Sequence, residues 1–114
     1  MLMHADHVAD LQQQLSQQTE LYLEFLRVPA LSVGLYELAA SSMDPQRPHT
    51  EDEVYYVVSG QAMIRVGDED QPVSAGSIIY VPAHVDHKFH TIVADLSVIV
   101  FFAPAEGSAG TSLG

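Results

Sequence analysis

At 114 residues the chain suits one domain, because a single core typically serves roughly 100 to 150 residues and a chain this size buries about two-thirds of its unfolded surface. Four basic residues, Arg27, Arg47, Arg65 and Lys88, stand against fifteen acidic ones for a formal charge of −11, which repels polyphosphates and argues against nucleic acid as a partner. The absence of cysteine excludes a disulfide framework and a thiolate metal site, and no apolar run approaches the roughly 20 residues that cross a bilayer. Met1 to Asp10, broken by His4, Asp6, His7 and Asp10, lacks the pattern of a secretory leader, so a cytoplasmic protein without membrane contact is expected.

Val8, Leu11 and Leu15 recur at helical spacing from Ala5 to about Gln18, with Asp6 as the expected cap, and predict a short N-terminal helical segment within residues 1–20. His4 and His7 are read as surface residues without a functional role. Leu21 to Val28 is too continuously apolar for a surface helix and reads as a strand ended by Val28-Pro29. Leu31, Val33 and Leu35 alternate with Ser32, Gly34 and Tyr36, the period of a strand with one face in a core. Ala39 to Pro48, carrying Ser41, Ser42, Asp44, Pro45 and Pro48, is a loop.

Beyond that loop nearly everything reads as strand. Val54 to Val58 is ended by Gly60, Ala62 to Val66 follows, Gly67 to Asp70 turns the chain, and Val73 starts another strand. Ile78 to Val81 stops at Pro82, Phe89 to Val93 resumes, and Leu96 to Phe102 is the last, for about eight strands in all. Many short strands with turns between them indicate an all-β sandwich or barrel over residues 21–106, and residues 107–114 read as a flexible tail of small residues.

Two histidine-bearing segments, Pro48 to Glu53 and Pro82 to His87, adjoin strands. Side chains at i and i+2 share a strand face, so an inward Glu53 takes Tyr55 and Val57 with it, while an inward His87 takes Phe89 and sends Lys88 and His90 outward. His49, Glu53 and His87 then form a set of two imidazoles and one carboxylate, the facial triad of an open site for a divalent transition metal. Structural metal sites usually fill their shell with protein ligands, and a core of this size should not need a metal to fold.

The same residues resemble the two motifs of the cupins. The first motif, His, any, His, three residues, Glu, six residues, Gly, matches His49, Glu53 and Gly60; the second, Gly, five residues, Pro, any, Gly, two residues, His, three residues, Asn, matches Gly76, Pro82 and His87. The resemblance implies a double-stranded jelly-roll β-barrel, here with a short N-terminal helix, and a divalent metal (Fe, Mn, Ni or Zn) in its mouth on His49, Glu53 and His87. Three positions depart: Arg47 replaces the first histidine, His84 the glycine, and Thr91 the asparagine. Arg47 cannot ligate a metal. His84 or Glu51 can take the vacated position, or water can complete a three-ligand site. Arg47 reads as a solvent-facing loop residue or as a bidentate clamp on a substrate carboxylate. Tyr55, Tyr80 and Phe89 are expected on the barrel wall, with Tyr55 a candidate ligand contact.

Two functions are compatible with this pattern. One is a metal-dependent enzyme acting on a small organic molecule by dioxygenase-type or isomerase-type chemistry. The other is a non-catalytic small-ligand-binding or sensor module whose metal is structural or absent. The resemblance also implies a homodimer, through pairing of the strand around Leu21 to Val28.

Overall fold

A computed structural model describes residues 3–111, with side chains through residue 109. Helix α1 spans Val8–Ser16, and its cap is His7, whose Nδ1 accepts the Ala9 N–H at 3.2 Å. Asp6, expected in that role, pairs with His4 at 2.6 Å instead. Strands β1 (Tyr22–Val28), β2 (Leu31–Leu38), β3 (Asp52–Val66), β4 (Glu69–Ser74), β5 (Ile78–Val81) and β6 (His87–Ala103) form one antiparallel sheet in the order β1-β2-β6-β3-β4, with β5 also on β3. Among the described residues no helix is long and apolar enough to cross a membrane.

The sheet has six strands where about eight are expected, because two predicted breaks are bends. β3 runs through Gly60, and β6 joins the segments predicted at Phe89–Val93 and Leu96–Phe102. Register shifts between Val57 and Met63 mark the bend. Gly60 has φ of +107°, and a Cβ there would lie 2.4 Å from the Asp95 carbonyl oxygen, so the crossing needs glycine for both conformation and space. The bend folds the sheet over itself. Tyr55, Val57, Val98 and Val100 from one end of the two long strands then pack in one cluster with Ala62, Ile64, Phe89 and Ile92 from the other. Side-chain packing encloses this interior, and the hydrogen-bonded ladder runs from β1 to β4.

A second core lies on the outer face, where Leu11 and Leu15 of α1 pack on Val33, Leu35 and Ile99. Tyr80, expected on the barrel wall, is 58% exposed; β5 instead turns Val81 inward. Within the expected tail Ser108–Thr111 forms one helical turn, α2, while residues 112–114 lie outside the described residues.

Candidate metal centre

The bend also brings the two histidine segments together. Glu53 stands near the start of β3, paired with Phe102, whereas His87 opens β6 opposite Val66 at the other end of β3. His49 approaches from the loop before β3, and the His84 N–H donates to the His49 carbonyl at 2.7 Å, tying that loop to the β5–β6 connection. One ligand atom from each of His49, Glu53 and His87 lies within 4.8 Å of the others. His87 Nε2 is 2.8 Å and His49 Nδ1 3.3 Å from Glu53 Oε1. Along β3 and β6 the alternation holds: Tyr55, Val57 and Phe89 are buried with the site, and Tyr56 and Lys88 face out.

The outer nitrogens of both rings are already engaged. His87 Nδ1 lies 2.9 Å from the Val85 carbonyl, which only an N–H can satisfy, so Nε2 presents a lone pair. His49 Nε2 lies 3.3 Å from Glu106 Oε2 and leaves Nδ1 facing inward. Four buried atoms therefore converge without a hydrogen-bond partner: His49 Nδ1, His87 Nε2 and both Glu53 oxygens. Acceptors facing acceptors at such distances repel unless a cation lies among them, and buried polar atoms are otherwise nearly always paired. In the metal-free protein a proton supplies part of that charge. Burial disfavours the charged His49 ring, but Glu106 and Glu53 outweigh it and push its pKa up to about 9. His87 is raised in the same way, burial being outweighed by Glu53 and the Val85 carbonyl. Burial alone pushes Glu53 up, yet the two imidazoles hold it below its ordinary value. A divalent metal fits this nitrogen and oxygen donor set, with Val85 and Glu106 orienting the imidazoles from behind.

The Cupin domain family matches residues 34–102. The chain is also 58% identical over 85 residues to the uncharacterized protein SCO3923 of Streptomyces coelicolor, an alignment covering 75% of this chain and 81% of that one. This chain is a cupin. Its backbone resembles an RmlC-like cupin with a double-stranded β-helix fold from Methanocaldococcus jannaschii, at TM-score 0.67 and 18% identity over 75% of this chain and 81% of that one. KdgF from Halomonas sp. is similar at TM-score 0.66 and 23% identity, over 73% of this chain and 76% of that one. At those identities the structural likeness concerns the fold.

Two of the departures from the cupin motifs retain an unusual backbone. His84, at the motif glycine, has φ of 69°, and Thr91, at the motif asparagine, has φ of 49°. Both sit in the left-handed region that glycine and asparagine enter readily and that a β-branched residue rarely adopts. The His84 side chain is exposed and stands outside the convergent trio. Glu51 is buried, but its carboxylate accepts from the Thr50 hydroxyl and from the Ala109 N–H at the start of α2, so it serves the C-terminal turn. Arg47 is exposed and lines a recess of about 260 Å³ with Gln46, Arg65, His87 and Lys88. A larger cleft of about 750 Å³, lined by Ile64, Val73 and Ile79, contains none of the trio. Tyr55 is fully buried, its ring centroid 6.1 Å from that of His87 and its hydroxyl donating to Gln46 Oε1 at 2.7 Å.

Sequence reasoning misses three contributors. Asp44, read as a turn former, is a buried hub that accepts from the Tyr36 hydroxyl, from the Phe89 N–H at 2.9 Å and from Gln46, pinning the loop to the interior. Glu106 and Tyr22 border the site from outside the matched residues 34–102, and neither carries a spacing signal.

Proposed function

We propose that this cupin holds one divalent transition metal, Fe, Mn, Ni or Zn, on His49, Glu53 and His87 and acts on a small organic molecule by dioxygenase-type or isomerase-type chemistry. What supports the reading above all is the convergence of four buried lone-pair atoms with no hydrogen-bond partner. A metal on such a triad supplies Lewis acidity and, if redox active, oxygen activation. Glu53 brings the compensating negative charge, the Val85 carbonyl fixes the tautomer of His87, and Glu106 fixes the outer nitrogen of His49. Tyr55 and Phe102 exclude water from two sides, Phe102 standing 4.7 Å from the His49 ring. A homodimer belongs to the same proposal. β1 is an edge strand, and Phe101, Tyr56, Ile78 and Tyr80 leave an exposed apolar stretch on the outer face of neighbouring strands.

The test is inductively coupled plasma mass spectrometry on untagged protein, wild type and the His49→Ala, His87→Ala double variant. Near-stoichiometric metal in the first and none in the second is expected. A wild type that takes up none of the four metals after incubation overturns the proposal.

A further inference from the structure

Tyr22 carries a buried polar atom that no described residue uses. It pairs with Tyr36 across β1 and β2, in the interior row that continues through Val98 and Val57. The next row is Gly34, Val100 and Tyr55, and the one beyond it is Ser32, Phe102 and Glu53. The Tyr22 side chain reaches across its own row toward that of Glu53, because Gly34 leaves a hollow. A Cβ on Gly34 would lie 2.2 Å from both Cζ and the hydroxyl oxygen of Tyr22. Phe102 touches both groups, with its ring 6.5 Å from that of Tyr22 and 4.7 Å from that of His49. The hydroxyl is occluded and has no hydrogen-bond partner among the described residues.

A buried hydroxyl without a partner is costly, so a fold has no stability reason to hold one beside Phe102 and within reach of the Glu53 and Glu106 charges. The other charges nearby narrow what it is for. Arg27 is tied to Glu24 at 3.0 Å and to the Glu106 carbonyl at 2.8 Å, and Glu106 presents a carboxylate beside His49. Among the described residues the Tyr22 side of the site thus offers a neutral donor with no unpaired cation beside it, Arg47 and Lys88 lying in the recess at His87. Burial and the nearby carboxylates push the Tyr22 phenol up, so it stays protonated.

We infer that Tyr22 is a substrate-positioning residue: its hydroxyl, seated in the Gly34 hollow, donates a hydrogen bond to a carbonyl or hydroxyl oxygen of an uncharged small ligand held at the His49, Glu53 and His87 site. The inference rests on the metal reading above and names the ligand class it serves.

The experiment uses the Co(II)-loaded protein, with hydroxyacetone, an uncharged ligand that offers a carbonyl and a hydroxyl oxygen, titrated by its effect on the cobalt absorption bands. Tyr22→Phe is expected to keep its cobalt, to melt at or above the wild-type temperature because an unpaired hydroxyl is gone, and to bind the probe roughly tenfold more weakly, the size of one hydrogen bond. Gly34→Ala is expected to show the same loss with the hydroxyl still present, since its Cβ displaces the ring; if that variant does not fold, Tyr22→Phe decides alone. Unchanged probe affinity in Tyr22→Phe with cobalt intact overturns this inference alone, as does a melting temperature several degrees lower, which marks a structural hydroxyl. A wild type that takes up no cobalt overturns the metal reading and this inference together.

Discussion

The two faces of the β1-β2-β6 sheet carry cores of different kinds. On the outer face Leu11, Leu15, Val33, Leu35 and Ile99 are apolar throughout, and no polar group is left without a partner among them. The inner face packs Tyr36, Tyr55, Val98 and Phe102 just as tightly, yet it makes His49, Glu53 and His87 converge on one another and leaves the Tyr22 hydroxyl without a partner among the described residues. Burial is the same and satisfaction is not. The outer core contributes apolar transfer energy alone, while the inner one sacrifices part of that gain to hold converging acceptors. Glu51 and Glu53 repeat the contrast within one turn of chain. Both are 2% exposed, but Glu51 is bonded to Thr50 and Ala109, whereas Glu53 faces the imidazoles of His49 and His87.

The sharpest break of that contrast is all-or-none. Glu53→Ala is expected to abolish metal uptake, whereas Glu51→Ala keeps one equivalent and loses stability only, as read by metal analysis beside urea melts. Retained metal in Glu53→Ala would dissolve the distinction between the two carboxylates. On the outer face Leu35→Ala should lose about 2–5 kcal/mol in a urea melt while its folded fraction binds metal at wild-type stoichiometry. Asp44→Ala belongs between the two cores. It strands the Tyr36 hydroxyl and the Phe89 N–H, for an expected loss of about 2–4 kcal/mol.

Proton linkage gives a graded test. The His49 proton stabilises the metal-free fold fully below its ordinary value of 6.5, and that contribution is lost as pH rises toward about 9. Glu53, held low, contributes above its ordinary 4.5 and loses that contribution as pH falls through its depressed value. Metal must displace the His49 proton, and a second from the raised His87 where that ring is charged, so apparent affinity should climb at least roughly tenfold per pH unit up to about 9. A flat affinity profile in competition with a chelator would remove His49 from the ligand set. The smallest effect is on the backbone. His84→Gly relieves a left-handed residue and should stabilise by about 0.5–1 kcal/mol without changing metal content.

By itself the sequence determined the trio. Glu53, Tyr55 and Val57 inward, and His87 and Phe89 inward, follow from the period of two along a strand, and the motif spacings carry the family and hence the fold. It also placed α1 and the irregular loop before His49, because apolar periodicity and turn formers act locally. Only the tertiary structure decided which face of β2 looks where. The alternation of Leu31, Val33 and Leu35 announces a buried face, but that face lies under α1, and the small polar face of Ser32 and Gly34 lines the interior. Periodicity reports that a face is covered and carries no sign of what covers it. Gly60 likewise reads as a stop, yet it is a bend, since whether a strand resumes its pairing depends on the partner strand and the space at Asp95. Tyr22, Asp44 and Glu106 were invisible for the same reason: each acts through a partner distant in the sequence, and no local pattern encodes a contact that exists only after the sheet has folded over.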